Sequence, residues 1–315
     1  MSKAHDQWVR KLGLFVFSKK DVLDLSEFHV RFEVCNADNE SPNNAAIRVY
    51  NLSNKTINLL TNNSEYKNVS LNAGYEGSGN YGLIFQGNIK QYRIGKENNV
   101  DSYVDILAAD GDLSYTNSYM NESIAAGHTP IDAFNATAKS MNMDISYGLI
   151  KTTGQYVPSS RGKTFLGMSR ATARRTADTL NCRWSIQNGK IQVTDNQGYL
   201  NDQTVILNSE TGLVGIPEQT DEGIRFKCLL NSKIRIGCWV KLKAVEINQT
   251  LWQNQEAAPL AYNSFNNNQN IAPTSTDETY CVFACEHAGD TRGNVWYSNI
   301  VGLAMDMTNK TVAGQ

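Results

Sequence analysis

The chain has 315 residues, 41% of them hydrophobic and 19% charged: enough apolar material for two or three packed domains, and too much for global disorder. Lys and Arg total 29 against 31 Asp and Glu, a net charge of −2, so no global basic field exists to hold nucleic acid or an anionic membrane. The longest early apolar run, residues 12–17, is interrupted by Gly13, and no later run approaches the 18 or so residues that span a bilayer. The chain is therefore expected to make no membrane insertion and to carry no leader.

Cys35, Cys182, Cys228, Cys238, Cys281 and Cys285 are scattered and form no CxxC pair, so they are expected to be buried thiols of a reducing compartment. Asparagine is unusually frequent and proline rare. Asn tolerates positive φ and favours turns, which suggests many short elements joined tightly, a mainly β chain.

In chain order, residues 15–17 are followed by the polar turn 18–21. Residues 29–34 alternate, which places Val30, Phe32 and Val34 on one face. Strands are predicted again over 46–52 and 69–75, with one helical turn over 56–60. Residues 83–94 and 100–109 read as a long hairpin around 95–99. Six strands in about 100 residues suggest a barrel or a sandwich.

Between 111 and 200 the pattern becomes α+β. Thr129, Pro130 and Asp132 form a helix start with Thr as N-cap, Pro at N1 and an acid at N3, and this helix should stop near Asn142. A loop over 152–163 leads to a second helix over 169–180 that buries Ala173, Ala177 and Leu180. Asn188-Gly189 between 182–186 and 190–193 predicts a hairpin with a type I′ turn. Strands return at 205–207, 212–217, 224–230 and 238–247. An Asn/Gln-rich loop is expected over 248–278, and a closing hairpin over 280–287 and 295–305. This gives a first β domain (1–110), an α+β insert (111–200) and a second β domain (201–315).

No GxSxG, HExxH, Walker A or GxGxxG motif occurs, so the residues do not suggest an enzyme or a cofactor. Cys281, Cys285 and His287 would share a face of a flat strand, but at about 7–14 Å apart they cannot close a tetrahedral metal site. Arg161, Lys163, Arg170, Arg174, Arg175 and Arg183 cluster around the second helix; without interleaved aromatics they are expected to be a solvated face rather than a nucleic-acid site. Asp110-Gly111-Asp112 is expected to be a strand-ending turn rather than an acid/base pair.

Residues 208–218 and 223–231, the closing segment 286–297, the Trp184 hairpin after an Ala-rich helix, and the early segments 85–89 and 105–112 together resemble baseplate hub proteins of contractile-tailed bacteriophages. The resemblance implies two tail-tube-like β-barrel domains flanking the insert, and a homotrimeric ring that adapts a sixfold tail tube to a trimeric central spike. Tail tube protein, spike, other baseplate proteins and the tape measure would be its partners, with DNA only in transit through the lumen. The place of action would be the tail baseplate of the virion, assembled in the host cytoplasm. Tyr262 and Phe265 are the candidate anchors of a partner-binding loop at 248–278. The rival readings are a hub of a phage-derived bacteriocin or secretion apparatus, a tail-associated cell-wall hydrolase, and a carbohydrate-binding β module.

Overall fold

Alternating burial organises the first hundred residues. In the strand Val30–Ala37 (β3), Val30, Phe32 and Val34 are buried while Arg31 and Glu33 are exposed, as the period-2 pattern requires. The structure, a computed structural model, describes residues 7–62, 66–77, 79–147, 158–195, 200, 204–220, 223–243, 248–249 and 279–304. Around β3 lie β1 (Arg10–Phe17), β2 (Val22–Asp24), β4 (Asn44–Tyr50), α1 (Asn54–Asn62), β5 (Asn68–Tyr75), β6 (Gly82–Lys96) and β7 (Ser102–Ala109). The hairpin expected around 95–99 is β6–β7, and the single helical turn expected at 56–60 is a nine-residue helix.

The α+β part follows with α2 (Asp112–Asn117), β8 (Tyr119–Ile124), α3 (Pro130–Met141), β9 (Asp144–Tyr147), β10 (Lys163–Met168), α4 (Ser169–Leu180), β11 (Cys182–Gln187) and β12 (Lys190–Asp195). Thr129 caps α3 with Asp132 in a reciprocal capping box, and Asn142 ends it in the left-handed conformation. The α4 boundaries are those read from the sequence, and Ala173, Ala177 and Leu180 are buried. The short elements α2, β8, β9 and β10 carry too few periodic residues to be read from sequence.

The last elements are β13 (Val205–Leu207), β14 (Leu213–Thr220), β15 (Gly223–Leu229), β16 (Trp239–Leu242), β17 (Asn248–Gln249), β18 (Thr279–Asp290) and β19 (Trp296–Ala304). The strand expected over 238–247 is described only as β16. Asn248 and Gln249, expected in a loop, pair in parallel with β14 at Glu218 and Gln219.

The chain is thus mainly β with a small α+β part. One finding goes beyond the sequence reading: β18 pairs antiparallel with β3, from Ala284↔Ala37 to Asp290↔Arg31. The early and late strands therefore form one sheet in the order β17-β14-β15-β19-β18-β3-β4-β7-β6-β5-β1-β2. Among the described residues this path is open at β17 and β2. Cores lie beneath both wings of this sheet, the early one of β1–β7 and the late one of β13–β19. The first holds Val30, Phe32, Ile47, Val104 and Ile106 and takes in Leu230, just after β15, and Trp296 of β19; the second holds Ile224, Phe226, Val240, Tyr280 and Ile300. A third packs Phe134, Ala173, Ala177 and Trp184 between the helices and β11–β12. No helix among the described residues is long and apolar enough to cross a membrane.

Candidate assembly interface

The face of the sheet opposite the cores is continuous across β15, β19, β18, β3, β4, β7 and β6, and registers line its side chains into rows. One runs Tyr297, Ala288, Glu33, Ala46, Leu107, Gln91; the next runs Asp290, Arg31, Arg48, Asp105, Arg93. Most of these residues are exposed or half-buried. Its cations are largely matched where they stand. Arg48 Nε donates to Asp105 Oδ1 at 2.7 Å, and its guanidinium lies 3.8 Å from the Tyr103 ring centre. Arg31 Nε donates to Asp290 Oδ2 at 2.7 Å, its Nη1 reaches Glu97 Oε1 at 3.3 Å, and Lys227 Nζ lies 4.0 Å from the Tyr297 ring centre.

Asp290 ties the two wings. Beyond Arg31, its carboxylate accepts from His29 Nε2 at 2.8 Å and from the Arg292 and Gly293 amides at 2.9 and 2.8 Å. Burial alone would raise its pKa; the Arg292 and Gly293 amides, Arg31 and His29 outweigh it and hold the pKa near 2. Arg10 clamps the same turn by donating to the Asp290, Gly293 and Asn294 carbonyls, and sits over Trp296. Gly289 is required here, because a Cβ would lie 2.3 Å from Phe32 Cζ.

The segment 38–43, between β3 and β4, anchors the α+β part. Asn43 Nδ2 donates to the Ile186 carbonyl at 3.0 Å and to Gln187 Oε1 at 2.8 Å, while its Oδ1 accepts from Ala37 N–H at 2.9 Å. Gln187 Nε2 returns a bond to the Ala37 carbonyl at 2.9 Å, and Ser185 Oγ donates to Asp38 Oδ1 at 3.1 Å. Arg183 pairs with Asp38 at 3.3 Å, and Arg174 Nε donates to Glu40 Oε2 at 2.6 Å. Asp38 N–H also reaches the Phe283 carbonyl of β18, so this short segment touches insert and both wings.

Asp110 completes the joint. Its carboxylate is 1% exposed and accepts the Gly189 N–H at 2.8 Å. Burial pushes its pKa up to about 6, against the lowering by the Gly189 and Asn188 amides. The native state therefore binds the proton more tightly than the unfolded chain. This stability is present below about pH 4 and is lost as pH rises through about 6. Asp110→Asn keeps an acceptor without the charge. It is expected to raise stability on the order of 2 kcal/mol above pH 6 and to flatten the pH 4–6 slope in urea titrations. An unchanged slope would assign the pH dependence elsewhere.

The expectation of a strand-ending turn at 110–112 holds: Gly111 is left-handed, φ 62°, and opens α2. Of the basic cluster, Arg174 and Arg183 are structural ties, Arg170 donates to the Tyr115 carbonyl, and Lys163 sits over Phe165. The sequence reading placed Cys281, Cys285 and His287 on one face; the structure corrects this. A bulge between Val282 and Ala284 puts Cys281 opposite Leu303, but Cys285 and His287 opposite Ile300 and Ser298 on the other face. Cys285 Sγ lies 3.4 Å from His287 Nε2, and Ser298 Oγ lies 2.8 Å from His287 Nδ1. Burial lowers the His287 pKa to about 4 and raises that of Cys285 well above the usual thiol value, which leaves both neutral and the thiol a poor nucleophile.

The potential metal ligands that do converge among the described residues are Glu33, Cys35 and Glu286, with ligand atoms within 4.8 Å of one another. A hydrogen bond with Glu286, then burial and the Glu286 charge, raises the Glu33 pKa on this exposed face. Sequence reasoning missed this group because strands distant in sequence supply it. Tyr262 and Phe265 lie outside the described residues.

The sheet with its α+β part is a phage-tail fold. The solved structures similar to it include the 43 kDa tail protein of prophage MuSo2 from Shewanella oneidensis (TM-score 0.57, 5% identity, 94% of this chain and 97% of that one). A tail protein from Neisseria meningitidis MC58 is similar at TM-score 0.54 and 7% identity, over 94% and 96% of the two chains. The E. coli c3393 protein, described as a type VI secretion system component, matches at TM-score 0.56 and 9% identity, over 89% and 74%. A search of curated protein sequences returns no match. The profile of the baseplate hub gp41 family matches residues 11–269, and the chain belongs to that family. Its role is accordingly structural, in the baseplate of a phage tail.

Proposed function

We propose that three copies of this chain close into a ring that adapts a sixfold tail tube to a trimeric central spike. In this reading residues 1–110 and 201–315 are two tube-like units per chain, so three chains present six, and residues 111–200 form an insert fastened to them. The observation that carries the reading is the exposed sheet face running without interruption from the late strands through β18–β3 to the early ones. Such a face, repeated around a ring, makes a smooth wall. Arg31 and Arg48 carry their own carboxylate partners, so the wall offers few unmatched cations to trap passing phosphates. Ring closure would also cover β2 and β17, the ends of this strand order among the described residues. The work is done by docking and symmetry, with no chemical step, and assembly takes place in the host cytoplasm before the virion is complete.

A second reading keeps the ring but sets it in a phage-derived secretion apparatus, favoured by the fold shared with the E. coli type VI component. Light scattering on the purified chain tests the ring itself. A mass of three chains, alone or on addition of the cognate spike protein, is expected. A monomer in both conditions would refute the ring.

A further inference from the structure

We propose that Asn188 is a deamidation site whose reaction is held back by the docking of its hairpin onto Asp110. Asn188-Gly189 is the one Asn-Gly dipeptide in an asparagine-rich chain. Glycine has no Cβ, so the amide nitrogen that follows the asparagine is the least shielded of any. In the reaction the Gly189 nitrogen gives its proton to solvent hydroxide and attacks Asn188 Cγ. The Cγ–Nδ2 bond breaks, ammonia leaves, and a five-membered succinimide remains. Water then opens one of its two C–N bonds, giving aspartate or isoaspartate at 188. One water is consumed and one ammonia released, with no change of oxidation state.

The structure separates the two requirements of this chemistry. The amide is accessible: Asn188 lines a cleft of about 570 Å³ with Ser146, Lys190, Gln192 and Ser232, so water reaches its side chain. The nucleophile is tied down. Gly189 N–H donates to the buried Asp110 Oδ1 at 2.8 Å, and the Asn188 backbone N–H faces the same carboxylate. The turn itself is fixed at φ 52° and 77° between strands paired from Cys182↔Asp195 to Gln187↔Lys190, and Asn43 holds the preceding Ile186 and Gln187. Cyclisation needs Gly189 N to leave Asp110 and swing toward its own neighbour's side chain, which the docked hairpin does not permit. The hairpin must open first.

The product would not dock equally well. Aspartate at 188 adds a negative charge to the turn whose backbone amides face the Asp110 carboxylate, and isoaspartate lengthens the backbone inside a two-residue turn. Reaction at Asn188 is therefore a one-way consequence of release of the insert from the sheet, and it hinders return.

The experiment incubates the full-length chain at mildly alkaline pH and quantifies aspartate and isoaspartate at 188 by peptide mass mapping. The folded chain is expected to react at least about tenfold more slowly than the same chain in urea. Asp110→Ala, which removes a charge-assisted acceptor, is expected to speed the folded reaction about tenfold, while Asp110→Asn, which keeps an acceptor, reacts no faster than the parent. Circular dichroism verifies that each variant is folded. If Asp110→Ala does not fold, hydrogen exchange at Gly189 of the parent chain replaces it, and deamidation must rise in step with that exchange as temperature is raised. Equal rates in the folded and urea-unfolded chain would overturn the proposal. So would a folded Asp110→Ala chain that reacts no faster than the parent, or deamidation that does not follow Gly189 exchange.

Discussion

Asp290→Ala is expected to destabilise the chain by about 3 kcal/mol, a loss read as a fall in the urea midpoint at pH 7. The carboxylate accepts four hydrogen bonds, from His29, Arg31 and the Arg292 and Gly293 amides. Its removal leaves a 290–293 turn without its central acceptor and a β3–β18 seam without its strongest polar tie. Arg31 is half-exposed and can turn to water or to Glu97, which keeps the figure below the full cost of stranding a buried charge. The same residue sets an acid limb. Its pKa is depressed to about 2, below the unfolded value near 4, so its contribution is complete above about pH 4 and disappears as pH falls through 2. The variant should lack that limb. A variant as stable as the parent, with the same acid slope, would show that Asp290 is not the tie between the wings.

Asn43→Ala is expected to cost a similar amount, about 3 kcal/mol, for a different reason. Asn43 is 4% exposed and satisfies three partners at once: the Ala37 amide, the Ile186 carbonyl and the Gln187 side chain. Alanine removes a partner from the buried Ile186 carbonyl and from the half-buried Ala37 amide and Gln187 side chain. The loss should be local in kind. The insert retains its own core of Phe134, Ala173, Ala177, Trp184 and Ile191, and the sheet retains Val30, Ile47 and Val104. Hydrogen exchange read by mass spectrometry should therefore rise in β11 and β12 while β3 and β4 stay protected. Uniform loss of protection would instead mean that insert and sheet fold as a single cooperative unit.

Local rules made much of the fold legible. The Thr129–Asp132 capping box, the Asn142 stop, the bounds of α4 and the Asn188-Gly189 turn are short-range devices, decided by residues no more than four apart. The alternation in β3 and the β6–β7 hairpin are equally local, and the resemblance to baseplate hubs rested on such turn and strand segments. The bulge in β18 was not legible, because an inserted residue changes facing without changing composition, and it reversed the expected placement of Cys281 relative to Cys285 and His287. The basic cluster around α4 shows the same gap: six cations read alike in sequence, but Arg174 and Arg183 find carboxylates more than 130 residues away in the chain, on Glu40 and Asp38.

The sequence by itself determined the longer strands and helices, how α3 is capped and where the Asn188-Gly189 turn falls, since those outcomes depend on φ/ψ preference and on burial with period 2 or 3.6. Only the tertiary structure decided that β3 meets β18, that the 38–43 segment grips the insert, and that Glu33, Cys35 and Glu286 share one patch. Each of those depends on pairing between residues far apart in the chain. Any exposed strand edge offers the same backbone donors and acceptors, so the choice of partner is made by the shape and burial of the whole sheet rather than by any motif within a strand.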